Sequence, residues 1–155
     1  MSSIIHLDSS EETEAAGGRL AQTIREQGVE ALVIYLSGDL GAGKTTFARG
    51  FLRALGHTGR VPSPTYTLIE PYELAGYAVS HIDLYRLRSP GEVGALALEE
   101  LGGNGTIMLI EWPEKGGPLV PPADLKIELK IDARGRILCL DGSLAVMDLS
   151  FFVKN

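Results

Sequence analysis

The chain has 155 residues, of which 45% are hydrophobic and 22% are charged, an ordinary composition for a globular protein. No run of about 18 or more apolar residues occurs, and the first residues lack the basic flank and apolar core of a signal peptide. The net charge is −6 and the 14 basic residues are scattered, which argues against a protein that grips nucleic acid by itself. We therefore expect a single domain, residues 1–155, in the cytoplasm.

Two helices and a strand are predicted in the first third of the chain. Ser9 and Glu12 have the spacing of a capping box, and the helix that they open is expected to end before Gly28. Residues 31–37 are largely apolar and predict a strand. An amphipathic helix is expected at residues 44–55, after a glycine-rich stretch.

The remainder of the chain predicts two hairpins, one helix and one buried strand. These elements are a hairpin of strands 66–72 and 77–84, a helix at 90–101, a strand of the parallel type at 106–110, and a hairpin of strands 125–131 and 136–140. Residues 144–155 are apolar without a clear period and give no prediction. This order of elements predicts an α/β fold with a mixed sheet.

The glycine-rich stretch at residues 38–45 carries the most specific signal. It reads Gly-Asp-Leu-Gly-Ala-Gly-Lys-Thr, a complete phosphate-binding loop of the form G-x-x-x-x-G-K-[ST]. The predicted strand before it and the predicted helix after it distinguish this loop (the P-loop) from a plain glycine-rich turn. The chain is therefore predicted to bind the phosphate chain of a nucleotide.

The roles of the loop residues follow from their types and spacing. The glycines allow backbone N–H groups to point inward around phosphates, and the helix that follows adds its positive N-terminal end. Lys44 supplies a cation for the β- and γ-phosphate oxygens, and Thr45 offers a hydroxyl to Mg²⁺. The nucleotide-binding candidates are Asp39, Leu40, Gly41, Ala42, Gly43, Lys44, Thr45 and Thr46.

Glu111 is the candidate for a second Mg²⁺ position. It ends the apolar run at 107–110, which is the pattern of the second metal-holding strand in P-loop proteins. Parallel strands deliver their last side chain to the same sheet edge as the loop. A solvated acid at a strand end is the alternative. Trp112 follows directly, and it is read either as a core or interface residue or as one that faces a partner or a base.

Alternation places His81, Asp83 and Tyr85 on one face of a predicted strand. This face is read either as the exposed surface of a hairpin or as a face toward the phosphates, with Asp83 ordering a water or the Mg²⁺ shell. Ser63 and Thr65 lie on a stiff, proline-containing segment after the P-loop helix. That segment is either a plain connector or a switch-like segment near the γ-phosphate.

Four segments, taken together, resemble the TsaE family. They are the P-loop with Thr-Phe after it at 38–47, Ser-Pro-Thr-Tyr-Thr-Leu at 63–68, His-Ile-Asp-Leu-Tyr-Arg-Leu at 81–87, and Ile-Glu-Trp-Pro-Glu at 110–114. The resemblance runs in order from residue 13 to residue 136. It implies a three-layer P-loop NTPase-like domain with a central mixed, mainly parallel sheet and β-hairpin additions.

The resemblance also implies a function. TsaE-like proteins are bacterial ATPases that are needed to make threonylcarbamoyladenosine in tRNA, and they work with TsaB and TsaD. It implies ATP and Mg²⁺ as cofactors, weak activity alone, tRNA contacted only through the complex, and no DNA or membrane partner. Lys44, Asp83 and Glu111 would then be catalytic, Thr45 and Glu111 would serve Mg²⁺, and Trp112 would be functionally sensitive.

No arginine is placed by a motif to compensate charge in the transition state, which agrees with slow hydrolysis by the chain alone. Arg86 is a candidate for that role, or else a structural partner of an acid. A small-molecule kinase is one alternative, although no arginine-rich lid follows the P-loop. A GTP-dependent regulatory switch is another, although no Asn-Lys-x-Asp segment is present. A structural subunit with a vestigial site is the third, and the intact Lys44, Thr45 and Glu111 argue against it.

Overall fold

The computed structural model describes residues 2–62, 68–89 and 91–142. Its seven strands are β1 (Ser2–Leu7), β2 (Ala31–Ser37), β3 (Ile69–Leu74), β4 (Tyr77–Asp83), β5 (Thr106–Glu111), β6 (Leu125–Asp132) and β7 (Gly135–Gly142). Its helices are α1 (Ser10–Gln27), α2 (Lys44–Ala54) and α3 (Gly91–Leu96), with short 3₁₀ helices at Leu98–Leu101, Pro113–Lys115 and Gly117–Leu119. In the part of the chain that is described, no helix is long and apolar enough to cross a membrane.

The strands form one sheet in the order β1-β7-β6-β2-β5-β4-β3. The four central strands, β6, β2, β5 and β4, pair in parallel. Antiparallel hairpin strands extend both sides, β3 on one and β7 followed by β1 on the other. The sheet is therefore mixed and mainly parallel with hairpin additions, as the fold prediction states. Its parallel strands end at a common edge, where the P-loop leaves β2.

Helices α1 and α2 cover one face of the sheet and pack closely against each other. Ser9 accepts a hydrogen bond from the backbone N–H of Glu12 at 3.2 Å, so the predicted cap of α1 is present. Gly17 lies where a Cβ would overlap the carbonyl oxygen of Phe47, so the two helix backbones touch at this point. Because α2 begins at Lys44, within the P-loop motif, this contact also fixes the loop's position.

An apolar core lies on each face of the sheet. The larger one lies between the sheet and α1 and α2, and it includes Leu20, Phe47 and Leu109, which are fully buried. The smaller one lies on the opposite face and includes Ile82, Leu98, Met108 and Ile110. Alternate residues of β4 and β5 therefore point into different cores, because successive side chains of a strand face opposite sides.

Most predicted elements are confirmed, with three differences. The strand predicted at 66–72 is β3, which has the bounds Ile69–Leu74, and residues 66 and 67 lie outside the described part of the chain. The edge strand β1 was not predicted, since its pattern of buried Ile5 and Leu7 between exposed neighbours is short. The single helix predicted at 90–101 is instead α3 and a 3₁₀ helix, separated by Ala97 with φ 50°. This turn brings Leu98 into the smaller core. Ser63, Thr65 and the tail 144–155 lie outside the described residues.

Candidate nucleotide-binding site

The P-loop lies at the sheet edge between β2 and α2. Gly43 is the N-cap of α2 with φ 108°, a conformation that a residue with a Cβ rarely adopts. Gly38 packs so tightly against β6 that a Cβ there would overlap the carbonyl oxygen of Leu129. The loop is therefore seated on the sheet at its start and enters the helix through a glycine-dependent turn.

Lys44 is the first residue of α2, and its side chain is buried although it is cationic. Its Nζ donates a hydrogen bond to the carbonyl oxygen of Gly38 and lies 3.9 Å from the centre of the Trp112 ring. Burial lowers the pKa of Lys44, and the carboxylates of Glu111 and Asp83, among others, oppose this effect. Among the described contacts, the ammonium group of Lys44 therefore has no direct ion pair.

Two buried carboxylates face the loop from the neighbouring strands. Asp83 ends β4 and Glu111 ends β5, and the two residues are directly opposite each other in the parallel register. Their exposed fractions are only 4% and 3%. The backbone N–H of Tyr85 donates to Oδ1 of Asp83 at 2.9 Å, which fixes that carboxylate. The reading of Glu111 as a solvated strand-end acid is therefore wrong.

His81 lies two residues before Asp83 on β4 and is fully buried. Its Nε2 is 2.6 Å from Oε2 of Glu111, within hydrogen-bond distance. Its Nδ1 is buried and has no hydrogen-bond partner among the described residues. For His81 and Asp83, the interpretation as an exposed hairpin surface is wrong. Tyr85 lies beyond the end of β4 and is 36% exposed.

A cavity of about 290 Å³ joins the P-loop to these strand ends. It is lined by Leu40, Gly41, Gly43, Lys44, Thr45, Thr46, Asp83, Tyr85, Glu111 and Trp112. It combines a cation, a helix N-terminus, a threonine hydroxyl and two carboxylates. This chemistry suits an anionic phosphate chain with a bound cation.

Not every predicted site residue lines this cavity. Asp39 and Arg86 are exposed, and Ala42 is buried within the loop. None of these three is among the cavity-lining residues, and His81 reaches the site only through Glu111. Ser63 and Thr65, the predicted switch-like segment, lie outside the described residues. Both readings of Arg86, as a residue that compensates charge and as a structural partner of an acid, stay predictions.

Trp112 connects the site to the smaller core. It adopts φ 55°, a left-handed conformation, directly after Glu111 and before the 3₁₀ helix Pro113–Lys115. Its ring packs on that of Tyr85 with a centroid distance of 4.9 Å and lies over Lys44. Trp112 therefore forms one wall of the cavity and also packs against the smaller core. The reading of Trp112 as a residue that faces a partner or a base stays a prediction.

A second cavity, of about 180 Å³, adjoins the first and shares Gly41, Gly43 and Thr46 with it. Its other walls include Ser9 and Arg136. Arg136 was not singled out in the sequence, because no motif links it to the P-loop. Only the hairpin of β6 and β7 brings it there.

The fold and the loop define the class of this protein. A mainly parallel sheet with helices against it, and a P-loop between the first parallel strand and α2, form a P-loop nucleotide-binding domain. The crystal structure of YdiB from Bacillus subtilis has the same fold, with a TM-score of 0.74 and 28% sequence identity. The match covers 94% of this chain and 89% of that one.

Sequence comparisons identify the family. Residues 7–144 match the family model described as threonylcarbamoyl adenosine biosynthesis protein TsaE. The chain is 44% identical over 125 residues to the tRNA threonylcarbamoyladenosine biosynthesis protein TsaE of Haemophilus influenzae, covering 79% of each. It is 38% identical to the protein of that name from Rickettsia bellii, covering 86% of this chain and 90% of that one. The chain belongs to the TsaE family.

Proposed function

We propose that this chain is an ATPase that supports the threonylcarbamoyladenosine modification of tRNA, in a complex with TsaB-like and TsaD-like proteins. The observation that carries the proposal is the convergence of Lys44, Thr45, Asp83 and Glu111 on one cavity. Membership of the TsaE family supports the pathway, since the relatives are named for this biosynthesis.

In this proposal the P-loop holds the triphosphate of ATP. Lys44 would exchange its hydrogen bond with Gly38 for contacts with the β- and γ-phosphate oxygens. Such contacts satisfy a buried ammonium group that is otherwise desolvated, so the burial of Lys44 favours an anionic ligand. The N-terminus of α2 and the backbone of Gly43 would add further attraction.

Thr45 and Glu111 would hold Mg²⁺, because a hydroxyl and a carboxylate are oxygen ligands of the kind that this ion prefers. Among the described residues there is no cluster of three or more His, Cys, Asp or Glu side chains that could hold a metal. A site with one carboxylate fits an ion that takes its remaining ligands from phosphates and water. The ion would neutralise charge on the transferring phosphoryl group.

Asp83 would orient the attacking water. One of its oxygens is held by the N–H of Tyr85, so the orientation of the carboxylate is set before a substrate arrives. The water would attack the γ-phosphorus from the side opposite ADP. The bond between the γ-phosphorus and the oxygen of ADP would then break, which gives ADP and phosphate.

The proposal includes dependence on the partner proteins. Among the described residues that line the first cavity there is no arginine, and Arg86 is not one of them. A P-loop enzyme without an arginine to compensate the transition state hydrolyses slowly. A partner that completes the site would then couple hydrolysis to the modification reaction.

The test is ATP hydrolysis by the purified chain with Mg²⁺, alone and with TsaB-like and TsaD-like proteins, alongside tRNA modification. We expect slow turnover alone and faster turnover with both partners. The Lys44→Ala variant serves as the inactive control. ATP turnover that the partners leave unchanged, or tRNA modification that proceeds equally well with Lys44→Ala, would contradict the proposal.

A further inference from the structure

The guanidinium group of Arg136 is bound to the back of the P-loop. Its Nε donates to the carbonyl oxygen of Ala42 at 3.1 Å, and its Nη2 donates to that of Gly41 at 3.0 Å. A third donor, Nη1, reaches the carbonyl oxygen of Gly135 at 3.1 Å. One side chain therefore ties two consecutive peptide groups of the loop to the β6–β7 hairpin.

The backbone that carries Arg136 is firmly held. It lies in β7 and pairs with Leu7 of β1 on one side and with Ile131 of β6 on the other. The loop that it grips contains glycines with positive φ at positions 38, 41 and 43, and such glycines allow many backbone conformations. A fixed guanidinium group thus restrains a segment that is intrinsically permissive.

The restraint sets the direction of two backbone N–H groups. In a trans peptide the C=O and the following N–H point in opposite directions. The carbonyl of Gly41 faces Arg136, and the N–H of Ala42 donates to the carbonyl of Asp39 at 3.0 Å, which closes the turn. The carbonyl of Ala42 also faces Arg136, so the N–H of Gly43 points away from it. Gly43 is among the residues that line the first cavity.

We propose that Arg136 is a positioning residue that holds the P-loop in its phosphate-binding conformation by fixing the peptide groups after Gly41 and Ala42. This inference rests on the proposed nucleotide site and assigns to it a residue outside the motif. Arg136 acts on the loop's backbone, so its effect is on the binding of any phosphate chain and does not depend on the nucleoside.

The test compares the binding of Mg·ATP and of inorganic tripolyphosphate by calorimetry. The variants are Arg136→Gln, Arg136→Lys and the control Arg134→Gln, which removes an exposed charge from the same hairpin. We expect Arg136→Gln to lower the affinity for both ligands equally, by about tenfold or more, because the charge-assisted hydrogen bonds to the loop are lost. Arg136→Lys should be intermediate, since one ammonium group is a point charge without the planar fork. Arg134→Gln should bind as the wild type does.

Amide hydrogen exchange without nucleotide provides the second readout. We expect faster exchange across residues 38–44 in Arg136→Gln than in Arg134→Gln, with an unchanged rate in α1. Weaker binding of ATP with unaltered binding of tripolyphosphate would overturn the proposal and indicate direct contact with the nucleoside. Unchanged loop exchange would overturn it as well. If the wild type binds neither ligand, the proposed nucleotide site fails, while the exchange experiment still decides whether Arg136 restrains the loop.

Discussion

The two sides of the cavity are built in different ways. One side is the P-loop, a continuous segment whose contacts with a phosphate chain come largely from the backbone and from Lys44. The other is a wall of side chains from β4 and β5, formed by Asp83 and Glu111, with His81 behind Glu111. The loop has an exposed tip, with Leu40 64% exposed, whereas His81, Asp83 and Glu111 are all buried.

This difference indicates that the two sides of the cavity have separate roles. A backbone cradle binds phosphate groups whatever they are attached to, because N–H groups recognise negative charge. Buried carboxylates do not attract an anion and are costly to keep without partners. Their presence opposite the P-loop is explained by what they would handle, a cation and a water molecule. We therefore expect substitutions in the loop to affect binding of the phosphate chain, and substitutions in the wall to affect hydrolysis and the Mg²⁺ requirement.

The largest effect should come from Lys44 or Thr45 in the loop. We expect Lys44→Ala to lower Mg·ATP-dependent activity on the order of 1,000-fold, because the phosphate charge loses its direct cation. Thr45→Ala should likewise abolish function through Mg²⁺. Both variants should remain folded, because neither residue belongs to an apolar core. Circular dichroism and thermal unfolding measure this. Lys126→Ala, at an exposed position of β6, is the matched control. Wild-type tRNA modification with either variant would contradict the assignment.

Asp83→Asn should separate the two sides most clearly. Asparagine keeps the size of the side chain and an oxygen for the N–H of Tyr85, but it loses the charge. We expect ATP binding within a few-fold of the wild type and turnover with the partners reduced on the order of 100-fold. Binding titration and single-turnover hydrolysis measure the two effects. Equal turnover in the complete complex would remove Asp83 from the catalytic set.

Glu111→Gln should have a smaller effect because the amide oxygen can still ligate a cation. We expect turnover to fall roughly 30-fold, equivalent to about 2 kcal/mol, with a higher Mg²⁺ concentration needed for half-maximal activity. A Mg²⁺ titration at saturating ATP measures both. Glu73→Gln, exposed on β3, is the control for loss of a carboxylate. An unchanged Mg²⁺ requirement would indicate that Glu111 is not a ligand.

His81 should give the smallest effect, because it acts on the site through Glu111. His81→Leu removes the hydrogen bond at 2.6 Å, and we expect about a tenfold rise in the Mg²⁺ requirement. His81→Gln can place an amide N–H near the position of Nε2 and should restore most of the affinity. Equal Mg²⁺ requirements in both variants would show that the hydrogen bond has no positioning role, whatever the change in thermal stability.

The accuracy of the sequence predictions differs between the two sides. The strand before the P-loop was predicted with its exact bounds and the helix after it to within one residue, since the motif and the hydrophobic periods are local. For the wall, the residues were named but two readings of each stayed open. A polar residue on an alternating strand is equally compatible with solvent and with a buried site. The pairing of β4 with β5 decides between solvent and a buried site, because it brings Asp83 and Glu111 into register under the loop.

The sequence by itself determined that a P-loop joins a strand to a helix, and it carried the motifs of the TsaE family, because both are encoded in consecutive residues. Only the tertiary structure decided that His81 is buried against Glu111, that Trp112 lies over Lys44, and that Arg136 grips the loop. Each of these contacts joins residues that are distant in the chain. Strand order and register bring them together, and the loss of water around them gives the contacts their strength.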